Sequence, residues 1–583
     1  MPLLTACSEP AAQAAVGAAP ALRAAAPVAA VVSPEQAEAY AARRPKSVLE
    51  AQPYRVTTQK ILSHGAGRSS TVTLVDVAPA IGVWFVLSRL GVEVGQGTWH
   101  LENPLGVQQK VRIDATCPAG LVLTRMGQDR CCDLWGTTPG ALDAAQASGR
   151  VYGSLCDGAL VVRNPTIGHK TAMEWTTDLI RDHVYGGERI TSAVKQTLLA
   201  DSQRVEGTLG GAGAAQRGGP LPADVAPAFK GRLLGIGDLS LPVVGGTNRQ
   251  LTIGEWYPVR AVAGVWASVL RAGSVSPAVL ERNAGGVLPL DALESTALVY
   301  SVAFDLADFE LGYEVGTDHP RVGWSERVQP AVHDFSLPGP DGFDTVAPFV
   351  RTGLLDPAWL SREVAVFVGG FKRSHGAFKQ GELSRVNNGS HYGFVEYGAE
   401  LSKLQPGLAT LVVWADQSVE LRTWTVADAA RLPQVRHARQ NGVALLETDP
   451  VTGLVRPGAL VRDWARGNWS GSVEGEQRSV RSGVCIQDTP AGRYLMYSYF
   501  SSATPSAMAN VYAAYGCSYA MLLDMNALEH TYLAVHDVEE GQFTVHHLVS
   551  GMDVLDQKRS SGVYARFVGY ADNRDFFTVL RKP

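Results

Sequence analysis

The stretch "RYLMYSYFSSATPSAMANVYAAYGCSYAMLLDM", residues 493–525, constrains the fold more than any other part of the chain. Residues 493–500 are apolar or aromatic almost throughout, a run of the length and composition of a buried strand. Thr504 offers a side-chain oxygen as helix N-cap, Pro505 fits the first helical position, and Gly516 suits the left-handed residue that ends a helix. The apolar run 518–524 follows as a second strand. Strand, helix, strand in that order predicts a βαβ unit with parallel strands and a right-handed crossover. Asp524 then falls at the carboxyl end of its strand, where open α/β sheets form ligand crevices. A carboxylate in that place either closes a turn or stands at the mouth of a site.

Other segments read as β structure and turns. "EVAVFVGGF" (363–371) is a buried strand ended by Gly369 and Gly370, and "GLATLVVWADQSVELRTW" (407–424) is two strands around a turn at Asp416-Gln417. "RSGVCIQD" (481–488) is a further strand. Nearer the N-terminus "STVTLVDV" and "QKVRIDATC" alternate as half-buried strands. "KTAMEWTTDLIRDHV" has helical spacing, with Gly186-Gly187 as its stop. The expected class is α+β, with a β-rich mixed sheet and a βαβ unit in a C-terminal domain, residues 230–583. A smaller α+β unit at 46–206, a Gly-rich linker at 207–229 and an Ala/Pro-rich tether at 1–45 precede it.

A net charge of −5 with no Lys/Arg block gives no footprint for nucleic acid, and none is expected as a partner. Leu4-Thr5-Ala6-Cys7 looks like a bacterial lipobox, in which Cys7 would carry the lipid and tether the chain to a membrane. Six residues precede Cys7 and none is Lys or Arg, so the basic and apolar leader is expected upstream. Six further cysteines are an even number, as in exported proteins with disulfides. At least one bridge is expected among Cys117, Cys131, Cys132 and Cys156, while Cys485 and Cys517 could equally be buried thiols. The expected location is the periplasm or outer membrane.

Several of these segments, taken in order over about 363–535, resemble the phosphodiester glycosidase family. Members carry a strand ending in Asn-Gly-Gly-Phe, and here "VFVGGF" has Val368 in place of the Asn. The strand pair 407–424 and "ARQNGVALLETD" are similar to the segments that follow, and Arg481-Ser482 matches an Arg-Ser or Arg-Thr that opens a strand. The family's Leu-Asp-Gly-Gly-Gly-Ser is matched by Leu523-Asp524, with "MNAL" in place of the glycines. The resemblance implies hydrolysis of a glycosyl phosphodiester or related sugar-phosphate linkage in the bacterial envelope. The altered glycines and Val368 imply the alternative, an inactive lipoprotein that binds a glycan or polymer.

That chemistry must hold a leaving phosphate, stabilise a sugar cation and aim a nucleophile at the anomeric carbon. Asp524 is the leading catalytic candidate, with an Asx-turn as its plain alternative. Arg481 could grip phosphate oxygens in a bidentate fork, or pair a nearby acid at the surface. Gly369 and Gly370 could present backbone N–H groups to the phosphate, or form a tight turn. "FKRSHGAFKQGE" gathers Lys372, Arg373, His375 and Lys379, either a cationic patch for the substrate or a solvated loop. His375 could serve as general acid or base. Asn526 could hold a sugar hydroxyl, and Asn441 joins it as a substrate-binding candidate. "TDHP" (317–320) and "VHH" (545–547) could each lend a metal ligand, but no partner set accompanies them, so neither metal nor cofactor is expected.

Overall fold

The computed structural model describes residues 47–583 apart from 64–68, 92–95, 138, 184–200, 214–218, 247–248, 261, 326, 335, 379–380, 387–388, 463–477 and 540–541. The tether, Cys7, Lys379 and Gly186-Gly187 lie outside the described residues. No helix among the described residues is long and apolar enough to cross a membrane.

The fold is α+β and rich in sheet. Its centre is an eight-stranded sheet in the order Trp256–Pro258, Val265–Arg271, Leu298–Asp305, Gly492–Ala503, Ser479–Thr489, Tyr519–Met525, Ala444–Thr448 and Val455–Pro457. Each neighbouring pair in it is antiparallel. The helix Pro505–Ala514 begins as expected: Thr504 Oγ1 accepts the Ala507 N–H at 3.3 Å and Pro505 takes the first turn. Gly516 follows at φ +70°. The two strands that this helix joins do run parallel, but they are not neighbours. Ser479–Thr489 lies between them, antiparallel to both. The crossover therefore spans one strand, a choice of partner that the local pattern does not encode.

A second antiparallel sheet runs Phe309–Glu314, Phe576–Arg581, Glu363–Val368, Leu533–Glu539, Gln542–His547. A third holds Ala409–Trp414 and Val419–Thr423, the expected pair around Asp416-Gln417, with Gln417 at φ +68°. These sheets enclose one large apolar core.

The N-terminal sheet, in the order Val56–Ser63, Ser69–Asp76, Trp84–Leu90, Gly97–Glu102, Leu160–Arg163, Tyr152–Leu155, separates two cores. Along Trp84–Leu90 the side chains alternate: Trp84 and Val86 enter the main core, Phe85 and Leu87 a smaller one of their own. Two disulfides, Cys117–Cys131 and Cys132–Cys156, staple that smaller core, and Cys485–Cys517 joins two segments of the main one. Within the stretch expected as a linker, Leu209–Ala212 pairs antiparallel with Arg232–Gly235. The N-terminal sheet meets the body through fully buried Arg163, which contacts Glu102 at 2.6 Å, Glu396 at 2.9 Å and Glu314 at 3.1 Å.

Candidate active site

One tight segment organises the site. Asp572, Asn573, Arg574 and Asp575 precede the strand Phe576–Arg581, and each is at most 1% exposed. Polar residues buried in a row need other chain segments close by to pair them; Asp572, Arg574 and Asp575 find such partners, while the Asn573 side-chain amide has none among the described residues. Glycines allow that approach. A Cβ on Gly316 would sit 2.2 Å from the Arg574 carbonyl carbon, and one on Gly353 would sit 2.0 Å from the Asp572 oxygen. Main-chain hydrogen bonds then fix the segment: Asp572 N–H to Gly353 O at 2.8 Å, Asp318 N–H to Asn573 O at 3.1 Å, and His169 N–H to Ala571 O at 2.8 Å.

Two ion-pair systems grow from it. The Asp575 carboxylate accepts from Arg439 Nε at 2.8 Å and Tyr313 Oη at 3.0 Å, and lies 3.1 Å from His319 Nδ1. The Arg574 guanidinium donates to Asp524, to Glu174 Oε1 at 3.0 Å and to His530 Nε2 at 2.7 Å. Arginine only donates, so His530 Nε2 is the acceptor and its Nδ1–H donates to the Met525 carbonyl at 2.7 Å. Glu174 Oε1 also accepts from Lys372 Nζ at 2.6 Å. Arg566 closes the far side, pairing with Asp572 at 2.8 Å.

Burial sets the protonation states. Asp524 is pushed up to about 6 because burial outweighs the attraction of Arg574. His319 is driven well below the usual histidine range by burial and then by Arg439, Lys372 and Arg574. A neutral His319 donates its Nδ1–H to Asp575 and leaves a lone pair on Nε2, a buried atom with no hydrogen-bond partner among the described residues. Glu174 is also penalised by burial, but Arg574 and Lys372 overcome this and hold it well below the carboxylate range.

The expected residues separate into groups. Asp524 and Lys372 belong to the cluster. Asp524 stands at the end of its strand, but at 1% exposure it is inside the protein rather than at an open mouth. Its Oδ1 also accepts the Met525 N–H at 2.8 Å, so the local capping contact is present as well. Gly369 and Gly370 form the close approach: a Cβ on Gly369 would lie 2.0 Å from Asp575 Oδ2, and one on Gly370 2.7 Å from Asn441 Oδ1. The Gly369 N–H is engaged, donating to the Asp575 carbonyl at 2.9 Å. Asn441 ties this turn to the strand that carries Asp524. Its Oδ1 accepts the Phe371 N–H at 3.1 Å, and its amide donates to Leu522 and Leu523 carbonyls at 2.8 and 2.9 Å. Asn441 thus contacts the main chain next to Asp524.

Arg481 is not brought to Asp524. Successive side chains of a strand point to opposite faces. Met525 faces Arg481, whose Nη1 is 2.8 Å from its Sδ, whereas Asp524 faces Arg574 on the other side. The Arg481 Nε donates to the Ala503 carbonyl at 2.7 Å, and burial lowers the guanidinium to about 9 against a small opposing pull from Glu294. Arg373 pairs with Asp341 at 2.5 Å, buried beside Tyr392, so neither it nor Lys372 belongs to a solvated loop. Asn526 sits at φ +82° just past the strand, its N–H donating to Val480 O at 2.8 Å. His375 lies in the short turn Arg373–His375, with its side chain outside the described residues.

The residues missed by sequence reading are Asp575, Arg574, His319, Glu174, Arg439 and His530. "DNRDFF" (572–577) holds a signal: two acids and an arginine directly before an apolar strand, charge at the amino end of one strand where Asp524 stands at the carboxyl end of another.

No family model and no curated protein matches the chain. Similar solved structures include a hypothetical protein from Synechocystis, 10% identical, covering 90% of this chain and 99% of that one, with a TM-score of 0.21. Another is a Burkholderia pseudomallei K96243 protein described only as exported, 12% identical, covering 91% of this chain and 98% of that one, with a TM-score of 0.18. At these TM-scores neither likeness carries an argument about fold or activity.

Proposed function

We propose that the chain is an exported hydrolase that cleaves a glycosyl phosphodiester or related sugar-phosphate linkage in the bacterial envelope. The observation that carries this reading is the buried junction of Asp524, raised to about 6, with Arg574, Lys372 and the Asp575–His319 pair. The roles follow from the chemistry of each group. Neutral His319 takes a proton from water at Nε2 while Asp575 holds its tautomer and stabilises the imidazolium that forms. Water attacks the anomeric carbon, and the bond from that carbon to the phosphate oxygen breaks. The phosphate gains charge as it leaves, and Lys372 and Arg574 stabilise it. Asp524, protonated below about pH 6, donates to the departing oxygen. The products are a free sugar and a phosphate monoester. This assigns to Arg574 and Lys372 the phosphate contact first expected of Arg481. Three disulfides are in keeping with an oxidising compartment, and hence with export and a lipid anchor at Cys7.

The test is incubation of the purified chain with N-acetylglucosaminyl phosphodiesters and detection of free sugar by mass spectrometry. His319→Gln, which keeps most of the buried volume, should abolish release in a variant whose circular dichroism shows that it is folded. A second reading, a glycan-binding lipoprotein without turnover, is favoured by Val368 and by the "MNAL" that replaces the family's glycines. Saturable binding of the same compounds without any release would establish it.

A further inference from the structure

The helix Ala172–His183 is attached to the protein in an unusual way. None of its residues belongs to an apolar core among the described side chains. Three large apolar side chains among the described ones face outward instead: Met173 is 60% exposed, Trp175 58% and Leu179 41%. A helix normally gains its place by burying such a stripe. Polar contacts hold this one. Glu174 spans to Lys372 and Arg574, Thr171 Oγ1 donates to Glu529 at 3.3 Å, and the neighbouring Lys170 pairs with Asp318 at 2.5 Å. Elements with little apolar burial open at low free energy.

Glu174 Oε1 is also placed as a ligand atom would be. One anionic oxygen receives an ammonium at 2.6 Å and a guanidinium N–H at 3.0 Å, both from residues at most 1% exposed. A phosphodiester carries the same single negative charge on the same kind of oxygen. Two buried cations converging on one oxygen define an oxyanion subsite whichever group supplies the oxygen.

We propose that Lys372 and Arg574 form a phosphate-binding subsite, that Glu174 fills it in the unliganded protein, and that phosphate binding displaces Glu174 and releases the helix Ala172–His183. This rests on the reading of the site given above, but it concerns binding and not turnover. It also explains how a cluster with every group buried is reached from solvent.

Two measurements test it together. Hydrogen exchange of wild-type protein is followed over residues 172–183 with and without saturating inorganic phosphate; exchange should speed at least tenfold when phosphate is bound. Phosphate affinity by calorimetry should rise about tenfold in Glu174→Gln and be lost in Lys372→Met. Asp341→Asn, which unpairs Arg373 in the same way at another place, should leave phosphate affinity unchanged. Unaltered exchange in phosphate-saturated wild type, or no phosphate binding to wild type and Glu174→Gln alike, would overturn the proposal. So would an equal gain in Asp341→Asn, which would make the effect one of general charge. Phosphate-driven opening in a protein that hydrolyses nothing would uphold the subsite and defeat the hydrolase reading alone.

Discussion

Replacing Asp524 with Asn should make the protein more stable at alkaline pH. The carboxyl of Asp524 moves from its ordinary value of 3.8 to about 6 on folding because burial outweighs Arg574. Between those values the folded protein holds a proton that the unfolded chain has given up. Stability therefore falls as pH rises from about 4 to about 6 and stays lowered above that. A displacement of about two pH units corresponds to about 3 kcal/mol. Asn copies the shape of the neutral acid and carries no charge, so it escapes this penalty. Arg574 keeps Glu174 and His530 as partners, which limits the loss on its side. The expected gain for Asp524→Asn is about 1–3 kcal/mol at pH 8 and near zero at pH 4. Urea unfolding followed by tryptophan fluorescence at both pH values reads the difference directly. If Asp524 and Arg574 were instead a net structural ion pair, removing one charge would destabilise by about 3–5 kcal/mol. A lowered urea midpoint at pH 8 would refute the reasoning. Stability given up at a reacting group is the usual mark of an active site.

Other perturbations probe the remaining parts. Denatured, unreduced protein should titrate no thiol from Cys117, Cys131, Cys132, Cys156, Cys485 or Cys517; six thiols would remove all three bridges. Gly369→Ala puts a methyl 2.0 Å from Asp575 Oδ2, so it should cost about 1–3 kcal/mol and most of the turnover; an active variant with wild-type midpoint would separate Asp575 from catalysis. Arg163→Met strips the buried cation from Glu102, Glu314 and Glu396 and should destabilise by about 3–5 kcal/mol. The loss should deepen as pH rises, because burial and Glu396 hold Glu314 well above the carboxylate range against Arg163; a pH-independent loss would contradict that.

Much of this architecture was legible from local pattern. Thr504, Pro505 and Gly516 marked the helix because capping is decided within a few residues. Gly369-Gly370 and the end of the strand at Asp524 marked one wall of the site for the same reason. Strand order was not legible: the insertion of Ser479–Thr489 between the parallel strands depends on pairing over long separations. Asp572 to Asp575 carry no local sign of burial, because what buries them, Gly168, Gly316 and Gly353, comes from elsewhere in the chain. Helical spacing in "KTAMEWTTDLIRDHV" does not show which face is buried: Glu174 is buried, while its neighbours Met173 and Trp175 are exposed. Arg481 lies away from Asp524 for a simpler reason. Its strand was expected, but the face on which it stands was set by the pairing of Arg481 with Met525 across the ladder.

The central claim is that the cluster around Asp524 directs water to the anomeric carbon of a glycosyl phosphodiester. Turnover in water enriched in oxygen-18 tests this most directly. The label should appear in the hydroxyl of the released sugar and not in the phosphate monoester, and both products should be lost in Asp524→Asn. Label in the phosphate would mean attack at phosphorus and contradict the account, as would the absence of labelled product from folded wild-type protein.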